Sequence, residues 1–92
     1  MKIENIKLFI KAALNIEEVS DEQAKNVRVL LDDLSDREER VVRMYYGLDD
    51  GRQRSIMEIA KDFEVEEETI KEVLATAIKK CRHPSRQKRF LK

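Results

Sequence analysis

The sequence predicts an all-α fold, a small five-helix bundle that contains a helix-turn-helix. Three observations point there. Only two Gly and one Pro interrupt 92 residues, while 41% of the side chains are charged; that balance suits helices and leaves little turn chemistry for a sheet. Two Ser-x-x-Glu patterns, at 35–38 and 55–58, read as capping boxes at helix starts. Ile70, Val73, Leu74, Ala77, Ile78 and Cys81 recur at i, i+3, i+4, i+7, i+8 and i+11, the stripe of a long amphipathic helix.

The first helix covers roughly 2–14. Ile3, Ile6, Ile10 and Ala13 line one face, with Phe9 and Leu14 beside them. A helix this short is marginal alone in water, so its apolar face must be covered. The short link at 15–18 lets it fold back on the rest of the chain; the alternative is that it packs on the same helix of a second copy. The second helix starts at Ser20, a good N-cap, and runs to about 33 with Ala24, Val27, Leu30, Leu31 and Leu34 as its stripe. The third opens at the first capping box, carries Val41, Val42, Met44 and Tyr45, and closes on Gly47, which suits a left-handed C-terminal residue. A polar loop, LDDGRQR, follows. The fourth helix is short, about 56–62, with Ile56, Ile59 and Ala60 facing in. Phe63-Glu64-Val65 turns the chain, and the fifth helix spans about 67–82 until Pro84 stops it. A short helix, a three-residue turn and a longer amphipathic helix make a helix-turn-helix.

Net charge is zero, but its distribution is not even. Residues 1–62 carry 11 bases and 14 acids, residues 63–92 carry 8 and 5. From Lys79 onward there are bases only: Lys79, Lys80, Arg82, Arg86, Lys88, Arg89 and Lys92. A cationic end suits an anionic partner, phosphate or an acidic protein. One cysteine forms no internal disulfide and fits a reducing cytoplasm. The apolar runs are too short and too interrupted by charge to span a membrane. The chain has no glycine-rich phosphate loop, no paired nucleophile and base, and no metal cluster, so neither enzymatic activity nor a cofactor or metal is expected. Cys81 and His83 alone fall short of the four ligands of a zinc site.

The ordered set LSDREERVVRMYYGL, then SIMEIAKDFEV, then a long helix ending KKCRHPSR resembles region 4 of the bacterial sigma-70 family. The run RHPSR after a basic helix end is its most specific part. The resemblance implies a domain that reads the −35 promoter element and docks on the β-subunit flap of RNA polymerase core. It divides the chain into an N-terminal amphipathic helix of unassigned role, 1–18, and a sigma region 4-like helix-turn-helix domain with a basic tail, 19–92. It implies DNA contact by Arg37, Glu67, Glu68, Lys71, Lys79, Lys80, Arg82 and Arg86, and polymerase docking by Tyr45, Tyr46, Leu48, Arg89, Phe90 and Leu91.

The departures bear on function. Where family members open the recognition helix T-R-E-R-I-R-Q, this chain reads Glu66-Glu67-Glu68-Thr69-Ile70-Lys71-Glu72. The family's M-R-F-G becomes Met44-Tyr45-Tyr46-Gly47. The start of a recognition helix enters the major groove. Arginine there pairs with guanine edges, whereas a carboxylate only accepts, as from a cytosine amino group, and it repels the phosphates that supply most affinity. Carboxylates in a first helical turn do stabilise the helix through its macrodipole, by about 0.3–1 kcal/mol each. The expectation is therefore a sigma region 4-like factor that docks on polymerase with weak or altered contact to double-stranded promoter DNA. The alternative is a regulator acting by protein contact alone. A second sigma-like subunit is a further expected partner, because these residues include no aromatic-rich, promoter-melting segment.

Overall fold

The structure is a computed structural model and describes residues 1–91. Over them the chain forms helices and no strand: α1 (Ile3–Leu14), α2 (Asp21–Lys25), α3 (Val27–Leu31), α4 (Asp36–Tyr46), α5 (Ile56–Phe63), α6 (Glu67–Cys81) and α7 (Pro84–Leu91). The all-α class and the helix-turn-helix stand, but there are seven helices where the pattern predicts five. The second predicted helix is divided at Asn26, whose N–H closes back on the Gln23 carbonyl at 3.0 Å. Val27, Leu30 and Leu31 still face inward across the break, so the apolar spacing alone does not reveal it. The seventh helix occupies what reads as a tail. Pro84 both ends α6 and starts α7, a position where its missing N–H costs nothing. The His83 carbonyl accepts from the Arg86 and Gln87 amides at 2.9 and 3.0 Å, and His83 Nδ1 accepts from the Ser85 amide. Lys92 lies outside the described residues.

The predicted capping boxes form. Ser35 and Ser55 Oγ accept from the amides of Glu38 and Glu58, and each glutamate accepts in return from the cap amide. A third box at Ser20 and Gln23 starts α2. Gly47 ends α4 at φ 63°, where an added Cβ would meet the Arg52 backbone at 2.7 Å. Both conformation and space therefore require glycine.

Two apolar clusters share the interior. One is the helix-turn-helix core: Val41, Ile59, Ala60 and Ile70, flanked by Met44, Ile56, Phe63 and Val65. The other gathers residues from α1, α2 and α3 with Val42, Leu48, Ala77, Cys81 and Phe90. Leu74 packs against both.

α1 belongs to the second cluster. Ile6, Phe9, Ile10, Ala13 and Leu14 are buried, while Ile3, predicted inward, is 37% exposed. Polar bonds hold both ends of α1. The Lys2 amide donates to the Leu48 carbonyl at 2.7 Å, and Asn5 Nδ2 donates to the Tyr46 carbonyl at 3.0 Å. At the far end Arg82 Nε and Nη2 donate to the carbonyls of Ala13 and Ala12 at 2.7 and 3.1 Å. These are among the last, otherwise unpaired carbonyls of a helix, where a cation is favoured. Burying the four large α1 side chains is worth about 1.5–3 kcal/mol each, an upper estimate. The sum approaches the whole stability of a small domain, about 5–15 kcal/mol.

Removal of residues 1–16 is therefore expected to unfold the domain, or to lower its Tm by well over ten degrees (roughly 4–8 °C per kcal/mol at this size), as followed by far-UV circular dichroism. A truncated chain with unchanged Tm would show that α1 contributes little to the core.

Candidate nucleic-acid interface

The helix-turn-helix is built by α5, a two-residue turn and the Glu66 cap of α6. Glu64 takes the left-handed conformation at φ 57°, which costs a non-glycine residue about 1–2 kcal/mol. The turn is closed by the Val65 amide donating to the Ala60 carbonyl at 3.0 Å. The half-buried Val65 packs on the core there, so the strained position is held by contacts on both sides.

The first turns of α6 present Glu66, Glu67, Glu68, Lys71 and Glu72 to solvent, with Thr69 half-buried and Ile70 buried. Glu66 has the extended backbone of an N-cap, but its side chain makes no capping bond. The carboxylate sits one carbon further from the backbone than that of Asp, a favoured cap residue along with Ser and Thr. No ion pair among the described residues involves these four glutamates. Their charge is turned outward from the point where a recognition helix meets DNA.

The predicted DNA-contact residues divide into two groups. Arg37, Glu67, Glu68, Lys71 and Lys79 are exposed. Lys80, Arg82 and Arg86 are already engaged within the chain. Lys80 Nζ donates to Glu38 Oε1 at 2.7 Å, joining the end of α6 to the start of α4. Arg82 caps α1. Arg86 pairs with Asp33 and donates through Nη1 to the Lys80 carbonyl at 2.7 Å, and its side chain is only 14% exposed. Arg40, not predicted as a site residue, lies 5.2 Å over the Phe63 ring and ties α4 to α5. A cation four residues before Met44 on the exposed side of α4 is the sequence signal for it.

The predicted docking residues divide as well. Leu48 and Phe90 are core residues at 0% and 1% exposure, so neither side chain is offered to a partner. Leu48 lies beneath α1, and Phe90 anchors α7. Arg89 and Leu91 are exposed on α7. Tyr45 and Tyr46 are half-buried and meet edge to face, centroids 5.0 Å apart. Tyr46 also meets Phe9 of α1 at 5.4 Å.

Around this frame runs a chain of charge. Arg28 bridges Asp32 and Glu39, and Arg43 bridges Glu39 and Asp49. The Arg28 guanidinium, against the opposing effect of burial and with help from Arg43, holds the Glu39 carboxyl below its usual range. Burial alone would raise Glu38, but Lys80 and the Ser35 amide outweigh it and hold that carboxyl low too. Burial, with a smaller contribution from Glu38, pushes the Cys81 thiol up to about 11, so it stays neutral. Two depressed carboxyls stabilise the fold fully above their ordinary value, and the contribution is lost as pH falls through their lower folded-state values. Thermal stability is therefore expected to fall once pH drops below the ordinary carboxyl value of 4.5. Glu39→Gln should lower the Tm at pH 7 and flatten that fall; a Tm that rose on acidification would rule out the network as a stabilising feature.

Comparison with known proteins places this geometry. A family model for Sigma-70, region 4 matches residues 30–83. The chain is similar to the RNA polymerase sigma factor SigA of a Bacillus species, 48% identical over 73 residues that make up 79% of this chain and 19% of that protein. It is also similar to the SigA sigma factor of Lactococcus lactis subsp. cremoris, 51% identical over 59 residues, 64% of this chain and 16% of that protein. The chain thus spans less than a fifth of the length of these curated relatives. The family match takes in α4, the turn, all of α6 and more than half of the residues, and the chain belongs to the sigma-70 region 4 family.

Proposed function

We propose that this chain is a sigma region 4 module that docks on bacterial RNA polymerase core at the β flap and touches promoter −35 DNA weakly or with a changed base preference. One observation carries the reading. The family's scaffold is kept, with both capping boxes, the turn and the α6 stripe, while the first turn of its recognition helix exposes Glu66, Glu67 and Glu68. Duplex binding then rests on Arg37, Lys71, Lys79 and the exposed bases of α7 acting on phosphates. Such binding is salt-sensitive and carries little sequence information. Of the docking surface first read from the sequence, Tyr45, Tyr46, Arg89 and Leu91 remain accessible. A second sigma-like subunit is a further proposed partner.

The engagement of Lys80, Arg82 and Arg86 within the fold favours a second reading, a regulator that contacts polymerase without binding DNA. Capture of RNA polymerase core subunits by the full chain from a bacterial lysate tests what the two readings share; failure to retain them would overturn both.

DNA titration separates them. The full chain is expected to bind −35 duplexes only at low salt, and nanomolar, sequence-selective binding at about 150 mM salt would contradict the weak-contact reading. Glu66→Thr, Glu67→Arg and Thr69→Arg together remove two acids and add two bases. With bidentate arginine contacts worth about 1–3 kcal/mol each, affinity at low salt should rise at least about tenfold. Stability should change little, since the side-chain cap restored by Glu66→Thr, worth about 1 kcal/mol, is offset by the loss of the favourable first-turn charge of Glu67, worth about 0.3–1 kcal/mol. Unchanged affinity would show that α6 does not approach DNA in the family's manner.

A further inference from the structure

The outer face of α5 and the first turn of α6 enclose a groove of about 680 Å³. Met57, Ala60 and Lys61 of α5 line it together with the Glu64 cap, at the i, i+3, i+4, i+7 spacing of one helical face. Val65, Glu66 and Glu67 continue the lining past the turn. At 1.5 Å per residue the α5 face runs about 10 Å, two helical turns. Ala60 is buried and Val65 half-buried, so the floor is apolar and fixed to the core. Met57 is 58% exposed, the most open large apolar side chain among the described residues. The groove is already formed. Glu64 is held at φ 57° and the Val65 amide is bonded to the Ala60 carbonyl at 3.0 Å, so a ligand has little to order on arrival.

We infer that this groove takes a basic segment of a protein partner, seating one apolar side chain against Met57, Ala60 and Val65 and pairing flanking arginines with Glu64, Glu66 and Glu67. Two separate features meet there. The carboxylates set the sign of the ligand: none of the three is in an ion pair among the described residues, and only Lys61 opposes them in the lining. The apolar floor and Met57 set its kind, because a partner side chain laid there removes thioether and methyl surface from water. A bare polycation gains from the charges and nothing from Met57. A duplex draws most of its affinity from phosphate neutralisation, and its phosphates would meet carboxylates here. Arginine suits the groove better than lysine, since its planar fork pairs with a carboxylate through two bonds. The polar cleft at the α4–α5 loop offers no such free charge at Asp49, Asp50 and Glu58, each of which is already paired with an arginine. The inference is independent of the polymerase-docking reading, which names other residues.

The test is fluorescence anisotropy on the full chain at about 150 mM salt, where attraction between exposed charges is screened beyond about 8 Å. The labelled probe is a nine-residue peptide with a central leucine between two pairs of arginines. One control peptide has glycine for the leucine, and the other has glutamates for the arginines. The leucine–arginine peptide should bind at least about fivefold more tightly than the glycine control, and the glutamate control should not bind. Glu66→Gln with Glu67→Gln should weaken it at least about fivefold, and Met57→Ser at least about threefold. These three residues are exposed, so the variants keep the fold. Glu17→Gln with Glu18→Gln makes the same charge change at exposed positions before α2 and should leave binding unchanged. Absent binding of the leucine–arginine peptide, equal binding of the glycine control, or equal loss in the two double variants would each overturn the groove. So would tighter binding of a −35 duplex at the same salt, or a dimer of the free chain that Met57→Ser abolishes, since either identifies a different occupant. Absent peptide binding with retained polymerase capture overturns the groove alone. Peptide binding without polymerase capture supports the groove and overturns the polymerase reading.

Discussion

One face of α6 is shared by both apolar cores, and the rest of the structure depends on that sharing. Its first half, with Ile70 and Val73, closes the helix-turn-helix cluster. Its second half, with Ala77 and Cys81, closes the cluster built on α1, α3 and α7. Leu74 belongs to both. The small side chains at 77 and 81 let neighbouring backbone come close, near enough that Cys81 Sγ lies 3.5 Å from the Leu30 carbonyl. A larger residue at either place would push α3 or α1 away, and overpacking of this kind costs about 1–3 kcal/mol. With one face fixed by two cores, only the outward face of α6 is free to differ from relatives. The exposed glutamates of its first turns lie on that face.

The cations show the same division between frame and surface. A basic helix end invites the expectation of phosphate contact, yet Lys80, Arg82 and Arg86 each bond to a different part of the frame: the α4 cap, the end of α1 and Asp33. Glu38 illustrates how tightly these roles are stacked. One carboxylate caps α4 through the Ser35 amide and also receives Lys80 from α6. Such bonds orient helices more than they add raw stability, since partly exposed pairs are worth about 0–1 kcal/mol. They do take donors away from any ligand. The basic C-terminal part of the chain thus offers fewer available charges than its composition implies.

Local chemistry was legible in the sequence, and long-range commitments were not. The capping boxes at 35–38 and 55–58, the left-handed Gly47, the helix-turn-helix and the α6 stripe follow from spacing and residue type alone. The break at Asn26 did not, because a kink that keeps Val27, Leu30 and Leu31 inward leaves the apolar spacing intact. The α7 helix did not either. Basic residues after a proline read as a tail, and its one buried anchor, Phe90, reads as an exposed aromatic until the core beneath it is known. Leu48 escaped for a related reason: it sits in a polar loop, and only the return of α1 over that loop buries it. Arg82 is the clearest case at the site. Its partners are carbonyls about seventy positions earlier in the chain, a pairing that no local pattern encodes.

The start of α6 shows how the family's residues there can be exchanged without loosening the fold. Replacing a threonine cap with Glu66 gives up a side-chain bond worth about 1 kcal/mol, and Glu66 makes no such bond. The acids at 67 and 68 lie in the first turn, where each gains about 0.3–1 kcal/mol from the helix macrodipole. The two effects are of similar size and opposite sign, so the helix starts in the same place at little net cost. Their effects on a duplex do not cancel. Each acid adds repulsion from phosphate, and each missing arginine removes a groove anchor. A scaffold can therefore keep its family's shape through exchanges that are nearly neutral for folding and strongly unfavourable for one ligand.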